Sequence, residues 1–145
     1  MVMTSDVQAA LKQRFPIIMV DSVSSLESGK SIRTLKNVTT NELHGVGHFK
    51  GNAVMPSTLV VEAIGQSASI LFAKTTGMGA GPDEFLVLGS INEMTFLKPV
   101  IAGDRMEIQV SVCKFIADFA IVEAVVSVDQ AVVAKGKLGF ARRVL

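Results

Sequence analysis

From residue 56 to residue 76 the sequence places apolar side chains on every side of a helix. Leu59, Val60, Val61, Ala63, Ile64, Ala68, Ile70, Leu71, Phe72 and Ala73 leave no continuous polar face. A helix that is apolar all round is buried on all sides, so the rest of the chain has to surround it. The material for that cover is present. Residues 16–23 and 31–39 read as two strands joined by a turn at 27–30, and residues 85–97, 104–116, 119–128 and 131–142 read as four more. A short helix over 7–14, capped by Ser5 or Asp6, precedes them. Strands gathered around one helix predict an α+β fold, a curved antiparallel sheet wrapped around a central helix. The 145 residues form one domain, 1–145, without repeat or linker.

Pro56 suits the start of the long helix, where a missing N–H costs nothing. Ahead of it, residues 41–53 are irregular and carry Gly45, Gly47 and Gly51, with His48 among them. Six residues past the proline stands Glu62, with Gln66 four further on and Ser69 three beyond that, all on one helical face. A carboxylate in such apolar surroundings needs a partner or a raised pKa. An imidazole and a carboxyl at the two ends of a loop–helix unit are the parts that proton transfer on a buried substrate requires. The backbone N–H of Ser57 lies in the first helical turn, where free donors and the helix dipole favour developing negative charge.

Other classes are disfavoured. Net charge is +1 and neither Trp nor Tyr occurs, which leaves little for nucleic-acid binding. Hydrophobic residues at 49% suggest extra apolar surface, covered in an oligomer or forming a tunnel. His44 and His48 stand four apart in a loop, with Glu42 nearby, and we expect no metal there. Ser57 lacks the flanking glycines of a nucleophile elbow. Cys113 is the sole cysteine and is expected to be a buried or half-buried core residue. The N-terminus does not read as a signal peptide, and no stretch reaches the ~18 apolar residues of a membrane span, so a cytoplasmic location is expected.

The run Gly47-His48-Phe49-Lys50-Gly51-Asn52-Ala53-Val54-Met55-Pro56-Ser57, with Glu62 and Gln66 in register, resembles the signature of the beta-hydroxyacyl-acyl carrier protein dehydratases (FabZ-like). That signature reads roughly Gly-His-Phe-Pro-Gly-x-Pro-Val-Met-Pro-Gly, followed by a helix bearing an acid and, four residues later, Gln. Arg14-Phe15-Pro16, Val20-Asp21, Leu35 to Thr39, Asn41-Glu42, Phe96, Lys98-Pro99-Val100 and Gly103-Asp104 match as well, so the resemblance spans nearly the whole chain.

The resemblance implies a hot-dog fold and a cofactor-free dehydratase with active sites built across a dimer. His48 of one subunit would take the alpha proton of a 3-hydroxyacyl thioester. Glu62 of the partner subunit would protonate or orient the leaving 3-hydroxyl. Ser57, Gly51, Val54 and Gln66 would form the oxyanion and substrate-binding set. Glutamate at 62 resembles the plain dehydratase branch rather than the branch that also isomerises the double bond. The partner would be an acyl carrier protein, which is expected to be acidic, so Lys50, Lys98, Arg105, Arg142 and Arg143 are candidates for docking it. The assembly would be a homodimer or a heterodimer, or a higher oligomer.

The chain also departs from the pattern. Lys50 and Ala53 replace prolines, Ser57 replaces glycine, His44-Gly45 stand where two aromatics are usual, and Thr95 takes a commonly basic position. These changes suggest a specialised substrate, such as a carrier-bound polyketide or polyene-like chain, rather than ordinary fatty-acid elongation. The alternatives are a hot-dog acyl thioesterase and a non-catalytic acyl-binding or scaffolding subunit of a synthase.

Overall fold

The computed structural model describes residues 4–45, 48, 49, 51 and 53–145. The order is α1 (Thr4–Ala10), β1 (Ser22–Glu27), β2 (Ser31–Asn37), a 3₁₀ turn (Leu43–Gly45), α2 (Ser57–Thr75), β3 (Glu84–Phe96), β4 (Arg105–Ile116), β5 (Phe119–Val128) and β6 (Ala131–Val144). The six strands form one sheet in the order β1-β2-β4-β5-β6-β3, and every neighbouring pair is antiparallel. The hairpin β1–β2 and the meander β4–β5–β6 follow the sequence reading. β3 does not join β4; it crosses to the far side of β6 and forms an edge.

Alternation explains the inner strands. Met106, Ile108 and Val110 of β4 and Ala120, Val122, Ala124 and Val126 of β5 are buried against α2 as part of one core cluster. On the helix, Val60, Ala63, Ile64, Ala68, Ile70, Leu71 and Phe72 are buried. Its cover is nevertheless incomplete. Leu59, Val61, Glu62, Gly65, Ser69 and Ala73 are half-buried and recur at helical spacing, so one stripe of α2 stays partly open.

Three expectations are corrected. Residues 16–21 are not strand. The Gln66 side chain engages that segment, accepting from Met19 N–H and donating to the Ile17 carbonyl, both at 2.7 Å, and ladder pairing begins only at Asp21 N–H, which donates to Leu35. α1 starts at Thr4, ahead of its expected cap, and ends at Ala10 rather than Arg14. Cys113 is exposed, because the register shift between Val112 and Lys114 ends the buried alternation of β4 there.

Candidate active site

His48 faces a cavity of ≈ 430 Å³ shared with Ser57, Thr58, Phe96, Lys98 and Val133. Two features of the loop set the imidazole. The backbone takes left-handed φ at Phe49 (+61°) and at Gly51 (+85°), the first at a residue with a full side chain, which is uncommon and marks a tightly determined turn. The ring Nδ1 then lies 2.7 Å from the Val54 carbonyl oxygen. A carbonyl can only accept, so Nδ1 carries the proton and donates it to this bond. In the neutral ring Nε2 is left with the lone pair.

Val54 is itself fixed. It bridges Ile101, while Ala102 N–H donates to the Ala53 carbonyl at 2.9 Å and Met55 N–H to the Val100 carbonyl at 2.8 Å. The chain then enters α2 with Pro56 as N-cap and no side-chain cap. Leu59 and Val60 N–H both turn back to the Pro56 carbonyl, so the helical ladder leaves the N–H groups of Ser57 and Thr58 open, and both residues line the cavity. An imidazole and the positive end of a 19-residue helix thus share one space.

Glu62 does not line that cavity, nor does any other carboxylate among the described residues. It sits on the half-open stripe of α2, where its Oε1 accepts from Gln66 Nε2 at 2.7 Å. Gln66 is 1% exposed, and its amide serves Glu62, Ile17 and Met19 together. The partner that the carboxylate needs is thus a neutral amide. Gly51 is exposed and outside the cavity lining.

The candidate docking cations are scattered. Lys98 lines the cavity and Arg105 is exposed at the start of β4. Arg142 and Arg143 pair with Leu86 and Phe85, on the order of 30 Å along β3 from Phe96. Arg142 bonds Asp118 and Glu84, both at 2.8 Å; the Asp118 hydrogen bond, then the charges of Asp118 and Glu84, raise its pKa above the usual range. Gly47 and Lys50 lie outside the described residues. The sequence reading missed Thr58 and the β6 wall at Val133 and Ala134. Position within a helix start could have marked the first; the second depends on sheet topology and has no local signal.

The solved structures that resemble this one share its architecture. The dehydratase heterocomplex ApeI:P from Xenorhabdus doucetiae superposes with a TM-score of 0.81 over 94% of this chain and 90% of its own, at 14% identity. The PaaI protein of the Escherichia coli phenylacetic acid degradation operon gives 0.64 over 83% of this chain and 81% of its own, also at 14%. The fold is the hot-dog fold. Sequence comparison is closer. The chain is 38% identical to a 3-hydroxyacyl-(acyl-carrier-protein) dehydratase, FabZ, of Dechloromonas aromatica over 133 residues, 92% of each chain. It is 36% identical to the FabZ of Vibrio cholerae over 139 residues, 96% of this chain and 90% of the other. Among the described residues no helix is long and apolar enough to cross a membrane. With residues 11–137 matching the family model of the FabA-like domain, the loop, helix and sheet just described belong to a member of that family.

Proposed function

We propose that this chain is a 3-hydroxyacyl-acyl-carrier-protein dehydratase, a lyase whose His48 and Glu62 act together across a dimer. The relatives of matching length carry that activity in their names. One observation carries the proposed geometry: among the described residues the cavity holds a base and a helix N-terminus but no acid, while Glu62 waits on the open stripe of the same helix. A second copy would supply the missing carboxyl. The apolar edge of β3 supports this, because Leu88 and Ile91 lie opposite Phe140 and Leu138, on the side of the sheet that faces α2, yet remain 42% and 50% exposed.

In this reading His48 Nε2 takes the alpha proton of the thioester. Charge developing on the thioester oxygen is met by the Ser57 and Thr58 N–H groups. The carboxyl of Glu62 of the partner subunit protonates or orients the 3-hydroxyl, which leaves as water and gives the trans-2-enoyl product. Gln66 holds that carboxyl, and Lys98 at the cavity is the best placed of the docking cations. His44-Gly45, in place of two aromatics, favours a specialised carrier-bound chain.

Mixing two inactive variants tests the pairing. His48→Ala and Glu62→Gln dimers, dissociated and re-annealed together, are expected to recover about a quarter of wild-type activity, since half the dimers then hold one intact site of two. Recovery of nothing, with subunit exchange demonstrated, puts both groups in one chain and ends the proposal. Product analysis on 3-hydroxyacyl carrier substrates decides the reaction: enoyl thioester is expected, and free acid would mean a thioesterase. A panel of chain lengths and functional groups tests the specialised substrate, which equal use of all ordinary saturated chains would refute.

A further inference from the structure

A second group of ionisable side chains sits at the entry to the loop that carries His48. Lys36, on β2, is 5% exposed. Its ammonium donates to the Asn37 carbonyl at 2.6 Å and to Oε1 of Glu42. The other oxygen, Oε2, is buried, and 2.8 Å away lies Nε2 of His44. That contact is too poorly aligned to count as a hydrogen bond, and among the described residues Oε2 has none. The imidazole nitrogen still sets a polar group against that oxygen, and a small turn of the ring would align it. The three side chains are therefore coupled: Lys36 holds one oxygen of Glu42, and only His44 answers the other.

The place of this group in the loop gives it its consequence. The trailing end of the loop is tied by backbone: Ala53, Val54 and Met55 bond to residues 100–102, and Gly103 N–H donates to the Val38 carbonyl, just beyond β2. The leading end has no such ladder. Among the described residues between Thr39 and His48, the one backbone bond is the turn closure from Gly45 N–H to the Glu42 carbonyl at 3.0 Å. What fastens that turn to the sheet is the Lys36–Glu42–His44 group. His48 lies three residues past Gly45, and on its far side its imidazole is held by the Val54 carbonyl.

We propose that His44 is a positioning residue for His48: by completing the buried Lys36–Glu42 pair it pins the leading end of the catalytic loop to β2. The inference rests on the reading of His48 as the reacting base. It concerns the position at which this chain has exchanged an aromatic side chain for an imidazole, and so gives that departure a role of its own.

The chain has two histidines, so imidazole NMR spectra contain two sets of signals and a variant at 44 leaves those of His48 alone. His44→Phe keeps a ring and removes the N–H; His44→Gln keeps an N–H within reach of Glu42. For His44→Phe we expect shifted His48 signals and kcat lower by about tenfold at nearly unchanged KM, against ~100-fold for a full 1 Å misplacement. For His44→Gln we expect signals near the wild-type position and kcat within about threefold of it. Should the Phe variant fail to fold, His44→Asn, too short to reach, replaces it in the comparison. Unmoved His48 signals in the Phe or Asn variant, or a Gln variant no better than either, overturns the proposal. Because the spectra need no turnover, a protein that fails to release water from 3-hydroxyacyl substrates defeats the dehydratase reading without deciding this one.

Discussion

β1 and β3 both run along an open edge of the sheet, and they are built differently. β1 is six residues long, exposes Ser24, Ser25 and Glu27 with a single large apolar side chain, Leu26, beside them, and bulges between Val23 and Ser25. Short length, polar side chains and a bulge are the means by which an edge avoids pairing with another chain. β3 is thirteen residues long and exposes Val87, Leu88, Ile91 and Phe96. A long apolar edge left uncovered is a pairing hazard unless pairing is its purpose. The comparison teaches that one rim of this molecule is finished and the other is an unfinished surface. The unfinished rim is also the one that ends at the cavity, since Phe96 lines it.

The strongest way to break the comparison is to place a charge on the β3 rim. With Ile91→Glu we expect the proposed dimer to dissociate in sedimentation and activity to fall on the order of 10²–10⁴-fold, because in that proposal each His48 depends on the acid of the partner subunit. The isolated subunit should keep its circular dichroism, as Ile91 lies outside its own core. A monomer with full activity, or an active dimer that ignores the charge, would move both the seam and the site elsewhere.

A middle-sized effect is expected one strand inward. β3 shifts register between Asn92 and Thr95 before Phe96 reaches the cavity, and Glu93 within that bulge has a φ of +55°. Gly136 on β6 makes the room: a Cβ there would stand 2.7 Å from both Cα and Sδ of Met94. Gly136→Ala therefore has to displace backbone, not only a flexible side-chain tip. It should lower stability by about 1–3 kcal/mol in urea unfolding, and weaken dimerisation because the bulge shapes the rim. Unchanged stability would mean that the bulge is soft and that β3 is not held in one register.

These contrasts also mark what the sequence could disclose. α2 and the strands β2, β4, β5 and β6 were legible because their apolar spacing matches their period and their burial is local to the chain. β3 was legible as a strand but not as an edge, since its place beside β6 is a property of topology. Residues 16–21 were misread because Ile17-Ile18-Met19-Val20 has strand composition, whereas the buried Gln66 amide, 46 or more residues away, takes their hydrogen bonds. His48, Ser57 and Glu62 stood out as chemistry in apolar surroundings. The Lys36–Glu42–His44 group did not: His44 and Glu42 were weighed only beside His48, and Lys36 on β2 joins them only once the fold buries it. Cys113 was misjudged for the opposite reason: alternation predicts burial only as far as the ladder keeps its register, which shifts between Val112 and Lys114.

The smallest effect is expected on the finished rim, and it is the control that gives the first prediction meaning. Ser25→Glu places the same side chain at the opposite edge. Ser25 is exposed and lies across from Arg33, so a carboxylate there meets a cation rather than an apolar surface. Cross-strand pairs of opposite charge contribute about 0.2–1 kcal/mol when well set. Arg33 already lies 3.5 Å from Glu107 and donates to Gln109 at 2.9 Å, so the gain should fall at the low end, within about 0.5 kcal/mol of zero. Activity and sedimentation should stay at wild-type values. A loss of dimer from Ser25→Glu matching that from Ile91→Glu would show that added negative charge itself, wherever it sits, disrupts assembly, and the distinction between the two edges would no longer support the proposed dimer.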